Sequence, residues 1–259
     1  MKKFTKLTAF ALALVMALGL LAGCGGSNSD NSTPSGDDTA KTKLVVATSP
    51  DFPPFESLEG GEVVGIEVDI LNKIAEKMGM ELDIQQMDFD SVIPGVQAGK
   101  FDVGMSGITV TDKRKENVDF SSVYFMAAQA IVVTADSGIT GKADLEGKKV
   151  SVQTGTTAEE YCMGNGYEVL AFTANNDAAA ALTTGKVDAW VVDNEVALAM
   201  APELGLSVLD EAMTSEPYAF AFQKGSELVV PFNEALDALL ADGTVEKIFQ
   251  QYGVTYIAP

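Results

Sequence analysis

Between Leu44 and Pro259 the sequence predicts an α/β fold with largely parallel sheets covered by helices. Three observations carry that expectation. Short apolar runs such as LVVATS and AIVVT have the length of strands, segments of helical period alternate with them, and Gly, Pro, Asn and Asp punctuate the joints. An internal echo adds that the unit occurs twice. In GVQAGKFDVGMSGITVT and in ALTTGKVDAWVVDNEVA, a short helix ends in Gly-Lys, then come an apolar residue, an Asp and a buried strand. Two such units predict two similar lobes, each with a loop at the carboxyl end of a strand, the position where open α/β sheets hold ligands.

The elements follow in order. LVVATS (44–49) is a strand buried on both faces, PDFPPFE is a turn, and Gly60–Glu62 marks a hairpin. In GIEVDILNKIAEKMGM, Val68, Leu71, Ile74, Ala75 and Met78 lie at helical spacing. ELDIQQM is a strand, SVIPGVQAGK a short helix ending near Gly99, and FDVGMSG (101–107) a further strand. AIVVT leads into the second unit. KKVSVQTGTTAEEY reads as strand, turn and helix, YEVLAF as a strand, NDAAAALTTGK as an Ala-rich helix, and VDAWVVDNEVALAMA as strand, loop and helix. LSVLDE is a strand, YAFAFQK alternates toward the end of the unit, and two helices divided at Asp242-Gly243 close the chain.

The start of the chain belongs to no lobe. MKKFTKLTAFALALVMALGLLAGC has three lysines, an apolar run and small residues before Cys24, the layout of an export signal (1–23). Its apolar run is shorter than the ~20 residues that a spanning helix needs. Leu21-Ala22-Gly23-Cys24 reads as a lipobox, so Cys24 is the expected lipidation site and a lipid the expected membrane attachment, on the outer face of the cell membrane. Residues 24–42 are rich in Ser, Gly, Asn, Asp and Thr and read as a solvated tether. Residues 43–130 with 221–259 are expected to form the first lobe, and 131–220 the second.

Without the signal's lysines, 14 basic residues face 37 acidic ones, a formal charge of −23. Nucleic acid and anionic membrane surfaces are poor partners for such a chain. With no His, and with Cys162 as the single cysteine after Cys24, an internal disulfide, a zinc or copper site and a Ser-His or Cys-His pair are all unexpected. No EF-hand spacing is present, although an all-oxygen calcium site stays open. GVQAGKF has one residue too few between its glycines for a phosphate-binding loop, and GEVVGIEVD fails the dinucleotide pattern. Trp190 and Cys162 read as core. No cofactor is expected.

Arg114 is the only arginine, among sixteen lysines. Thr111 can cap a helix that begins at Asp112, which puts Arg114 in its first turn. A guanidinium makes two parallel hydrogen bonds to a carboxylate and an ammonium cannot, so a single arginine suggests geometry rather than charge. The bland alternative is a surface residue in the charged run Asp112–Glu116. Thr156 and Glu159 have capping-box spacing at a strand-to-helix turn, a place that favours anions. Asp193 ends a very apolar strand, where an unpaired carboxylate is costly and a cation, or a helix-capping role, would resolve the cost. Asp188 precedes that strand and more simply serves the turn.

In order, SPDFPPFE, VGIEVDILNKIAEKMG, MDFDSVIPGVQAGKFDVGMSGITVTDKRKENVDFSSVY, VQTGTTAEE and GKVDAWVVDNEVA resemble the amino-acid-binding branch of the bacterial extracellular solute-binding proteins that serve ABC importers. The resemblance implies a type II periplasmic-binding-protein fold: two α/β lobes joined by two hinge strands, with the ligand cleft between them. It implies capture of a free polar amino acid by hinge closure, delivery to ABC permease subunits, a monomer and no catalysis. It assigns Arg114, Thr156 and Thr157 to the ligand carboxylate and Asp193 to its ammonium. Ser106, Gly107 and Thr109 would line the site, with Gly107 offering main-chain groups; Gln153 would contribute from the second lobe, and Phe52 and Phe89 would flank the ligand's stem. Where basic-amino-acid binders of the family carry an acid, this chain has Ser49. Asp51, Glu56 and Gln153 remain candidates for contact with the ligand side chain. Two alternatives share the fold: a cyclohexadienyl dehydratase-like enzyme, which needs an acid or base aimed at a leaving group, and a sensory module that presents the ligand to a receptor.

Overall fold

A computed structural model describes residues 42–259. The expected export signal, the lipidation at Cys24 and the tether up to residue 41 lie outside the described residues.

The chain begins with β1 (Lys43–Thr48), whose Leu44, Val46 and Ala47 are fully buried. A small antiparallel sheet follows, made of β2 (Asp51–Phe52), β3 (Glu56–Glu59) and β4 (Glu62–Val64), with the β3–β4 hairpin turned by Gly60 and Gly61 at positive φ. Helix α1 (Ile66–Met78) buries Ile70, Leu71, Ile74 and Ala75 and stops at Gly79 in the left-handed conformation. The path continues through β5 (Glu81–Gln86), α2 (Phe89–Gln97), β6 (Val103–Gly104), α3 (Asp112–Lys115) and β7 (Val118–Phe120).

After β8 (Phe125–Ala127) the second unit runs β9 (Gln129–Val133), β10 (Lys149–Gln153), α4 (Thr157–Gly164), β11 (Glu168–Phe172), α5 (Asn175–Thr183), β12 (Ala189–Asp193), α6 (Asn194–Met200) and β13 (Ser207–Val208). The chain returns through β14 (Glu216–Tyr218) and β15 (Ala221–Gln223), then ends in α7 (Val229–Ala241) and α8 (Thr244–Gln251).

Two five-stranded sheets result, ordered β5-β1-β6-β15-β7 and β11-β10-β12-β9-β13. Each has three parallel strands followed by an antiparallel one, β15 in the first and β9 in the second. Between them, β8 and β14 pair as a two-stranded antiparallel ribbon, the two connections of the α/β lobes. Aromatic rings fasten this ribbon to the first lobe. Phe125 stacks on Phe249 with centroids 4.6 Å apart, and Tyr218 meets Phe55 edge-on at 5.2 Å. Such pairs contribute about 0.5–1.5 kcal/mol each beyond their buried area.

Two expected strands are shorter than their apolar runs. Of residues 101–107 only Val103–Gly104 are strand, because from Met105 the backbone leaves the ladder to form a loop; of the LSVLDE run only Ser207–Val208 pairs with β9. Strands β7 and β8, three residues each, lie where no strand is expected. Trp190 is fully buried in β12, and Cys162 is buried with its thiol pushed up to about 12 by burial, which keeps it unreactive. Among the described residues, no helix is long and apolar enough to cross a membrane, and no group of three or more His, Cys, Asp or Glu side chains is placed to hold a metal ion.

Candidate functional site

A cavity of about 340 Å³ opens between the carboxyl ends of the two parallel sheets, and Phe52, Phe89, Ser106, Gly107, Thr109, Arg114, Gln153, Thr156, Thr157 and Asp193 all line it. Asn175 lines it as well, without having been expected. Ser49 and Asp51 do not; they line a wider groove alongside, and Asp51 touches the cavity only through its neighbours.

On the first lobe the Thr111 hydroxyl accepts the Arg114 N–H at 3.1 Å, the cap that the sequence predicts at the start of α3. The guanidinium donates from Nη1 to the Thr109 carbonyl at 2.8 Å and from Nη2 to the Gly155 carbonyl at 3.1 Å. Two of its five N–H bonds are thus spent on holding it in place, and one of them reaches across to the second lobe. It also lies over the Phe89 ring, 5.6 Å from the centroid. Burial draws the Arg114 pKa down, while Glu160, Glu216 and Asp193 oppose that effect, and an arginine remains a cation throughout.

The loop after β6 holds two surprises. The Gly107 N–H donates at 2.9 Å to Glu67, so it is not the free donor that the sequence leads one to expect; its carbonyl, an acceptor, is the group left for an ammonium. Gly107 must also be glycine. At φ +52° an added Cβ would sit 2.5 Å from the Phe52 ring and 3.1 Å from Tyr218. The Ser106 hydroxyl donates to Glu56 at 2.8 Å and accepts from the Ser49 N–H at 3.0 Å, so it shapes the wall rather than offering a free group.

On the second lobe Thr156 caps α4. Its hydroxyl accepts the Glu159 N–H at 3.2 Å and donates to the Gln153 carbonyl at 2.7 Å. Glu159 returns to the Gly155 N–H at 2.7 Å, one residue earlier than a standard capping box. The Thr157 hydroxyl accepts from Gln129 at 3.2 Å. Gln153 is only 3 % exposed: its Nε2 donates to the Thr173 carbonyl at 3.0 Å and more weakly to Asp51 at 3.3 Å, while its Oε1 accepts from Asn175 Nδ2 at 2.9 Å. The Asp51 carboxylate also accepts the Asn175 N–H, the first of α5, at 2.7 Å, so a first-lobe acid caps a second-lobe helix. Burial raises the Asp51 pKa against the pull of these bonds.

Asp193 occupies the N-cap position of α6 but makes no capping bond. Its carboxylate accepts from Gln129 Nε2 and from the Tyr218 hydroxyl. Burial, and then the charge of Glu216, push it up to about 7. A cation brought into the cavity would lower it again. Gln129, Tyr218 and Glu216 are the functional neighbours that the sequence did not expose. The one available signal was Gln129, an uncharged polar residue opening the apolar run AIVVT.

The site therefore sets a fixed guanidinium against a buried carboxylate, with two phenyl rings and a pair of amides between them. A zwitterion with a polar side chain matches that order of charges.

Comparison with known proteins agrees with this chemistry. The family model of the bacterial extracellular solute-binding proteins, family 3, matches residues 44–255. The arginine-binding extracellular protein ArtP of Bacillus subtilis is 35 % identical over 240 residues, which cover 90 % of this chain and 92 % of ArtP. The ABC transporter glutamine-binding protein GlnH of the same organism is 33 % identical, covering 95 % of this chain and 97 % of its own. Among solved structures, an ancestral arginine-binding protein bound to glutamine superposes with a TM-score of 0.78 at 41 % identity, covering 82 % of this chain and 98 % of that one.

Proposed function

Since the chain belongs to the bacterial extracellular solute-binding proteins of family 3, we propose that it captures a free polar amino acid outside the cytoplasm and delivers it to the permease of an ABC importer. The observation that carries the reading is the placing of Arg114 and Asp193 on opposite walls of one cavity. The ligand carboxylate takes the remaining N–H bonds of Arg114 together with the start of α4, and its ammonium takes Asp193 and the Gly107 carbonyl. Phe52 and Phe89 flank the stem.

The contacts from the two lobes are complete only when the cleft is shut, so binding and closure are one equilibrium. The bonds from Arg114 to Gly155 and from Asp51 to Asn175 hold that closed form. The far wall, made by Gln153 and Asn175 with Asp51 behind them, accepts hydrogen bonds from a side chain rich in N–H groups. This favours arginine or glutamine, the ligands named for ArtP and GlnH. No bond is made or broken. The protein acts as a monomer, held at the outer face of the membrane by lipid on Cys24.

A thermal-shift screen over the twenty amino acids and cystine tests the reading. A ligand at about a hundred times its Kd stabilises by ~2.7 kcal/mol, a rise of about 5–10 °C for a chain of this size. Arginine or glutamine should give that rise, and a flat response to all of them would sink the assignment. Incubation with prephenate or arogenate should give no aromatic product.

A further inference from the structure

Two glutamates of the first lobe are wholly buried without lining the cavity: Glu56 at the start of β3 and Glu67 in the first turn of α1. Glu67 accepts from the Gly107 N–H at 2.9 Å with one oxygen and from the Tyr124 hydroxyl with the other. Glu56 accepts from Ser106 at 2.8 Å with Oε1, while its buried Oε2 has no partner as an acceptor. Among the described residues, no lysine or arginine forms an ion pair with either. Burial, and next the charge of Glu67, push the Glu56 carboxyl well above the usual carboxylate range. A proton on Oε2 reconciles the two observations, since it turns an unsatisfied acceptor into a donor facing Glu67.

We propose that Glu56 and Glu67 act as one hydrogen-bonded acid–carboxylate pair that holds the Ser106–Thr109 loop in the shape that receives the ligand. They are positioning residues, and the inference rests on reading the cavity as an amino-acid site. Glu56 grips the loop through the Ser106 hydroxyl and Glu67 through the Gly107 N–H. With that N–H tied to the core side, Gly107 is left to present its carbonyl to the cavity. The other groups facing the pair carry no compensating positive charge. They are the Tyr124 hydroxyl, the Ser106 hydroxyl, and the acids Asp51 and Asp193, whose charges act on Glu56 and on Tyr124 respectively. One negative charge on the pair is therefore favoured over two.

The two members differ in what an amide can replace. In Glu56→Gln, the amide N–H can stand in for the acid proton and its oxygen can still accept from Ser106. In Glu67→Gln, one oxygen remains for two donors, Gly107 and Tyr124. Calorimetric titration of the full chain with L-arginine and with L-glutamine should show Glu67→Gln weakening binding by about tenfold more than Glu56→Gln does. A purely structural role would lower the melting temperature of both variants and leave the affinity of the folded fraction equal. NMR supplies readouts that need no ligand. At pH 7 the Glu56 side-chain carbon should resonate as a protonated acid, and the Gly107 amide proton should move upfield in Glu67→Gln. If neither probe binds the unmutated chain, the amino-acid reading is at fault, and the Gly107 and Glu56 resonances still decide the pair. An ionised Glu56, or a Gly107 amide unmoved by Glu67→Gln, would overturn the proposal.

Discussion

At Asp102 and at Asp188 the two lobes make the same clasp. The Asp102 N–H donates to the Val45 carbonyl at 2.8 Å and its carboxylate accepts the Val45 N–H at 2.8 Å; Asp188 does both with Lys149 at the same distances. The sequence echo around Gly-Lys is therefore a structural repeat, and each Asp registers its strand on the strand beside it. Five residues beyond each clasp, the lobes part. The first arrives at Gly107, which has no side chain and a left-handed backbone, and the second arrives at Asp193. Strand β6 pairs for only two residues and gives way to a loop and α3, whereas β12 runs for five and delivers its carboxylate straight to the cavity. The repeated scaffold supplies position, and the strand ends supply chemistry of opposite sign.

The two charges are also held differently. Backbone carbonyls fix Arg114, one of them across the cleft, whereas side chains fix Asp193. The sharpest way to break the comparison is Arg114→Lys, which keeps the charge and loses the fork. Two charge-assisted bonds are worth about 2–3 kcal/mol, so calorimetry should find the ligand on the order of 100-fold weaker. Near-normal binding would mean that charge alone suffices on the first lobe.

Asp193→Asn comes next, with a loss of about 30-fold, because one charged partner of the ammonium is replaced by a neutral one. It should also erase a pH dependence. A carboxyl raised to about 7 in the folded state favours folding below its unfolded value, and that contribution is lost as pH rises through 7. The unliganded protein should therefore be less stable at pH 8 than at pH 5.5. A bound ammonium reverses the preference, so affinity should climb by up to about tenfold per pH unit from 5.5 to 7 and then level off. Titration across that range checks both signs.

Much of this site was legible in the sequence because its residues stand in compact motifs. Arg114 follows a capping Thr, Thr156 precedes Glu159 by three, and Asp193 ends an apolar strand. The partners that fix them were not legible. Gln129 and Tyr218 lie 64 and 25 residues from Asp193, and Glu67 lies 40 from Gly107, so local pattern carried no trace of the contacts. The free Gly107 donor was misjudged for that reason. Asp51 was suspected for its charge, yet its position was hidden, since the helix start that it caps is 124 residues away in the other lobe.

Gly107→Ala separates scaffold from chemistry at the point where the lobes diverge. The clash with Phe52 and the positive φ should cost about 1–3 kcal/mol, read as a lower melting temperature together with weaker binding. Asp51→Asn should have the smallest effect. It removes a charge from the start of α5, worth about 0.3–1 kcal/mol, and should appear in stopped-flow as ligand release a few times faster with little change in association.

The central claim is that the first lobe reads a carboxylate and the second an ammonium. Its most direct test takes the amino acid with the largest thermal shift and compares its calorimetric affinity with those of its carboxamide and its N-acetyl derivative. Both derivatives should bind on the order of 100-fold more weakly, each having lost one of two charge-assisted anchors. A derivative that binds as tightly as its parent would show that one of the two walls does not hold the ligand.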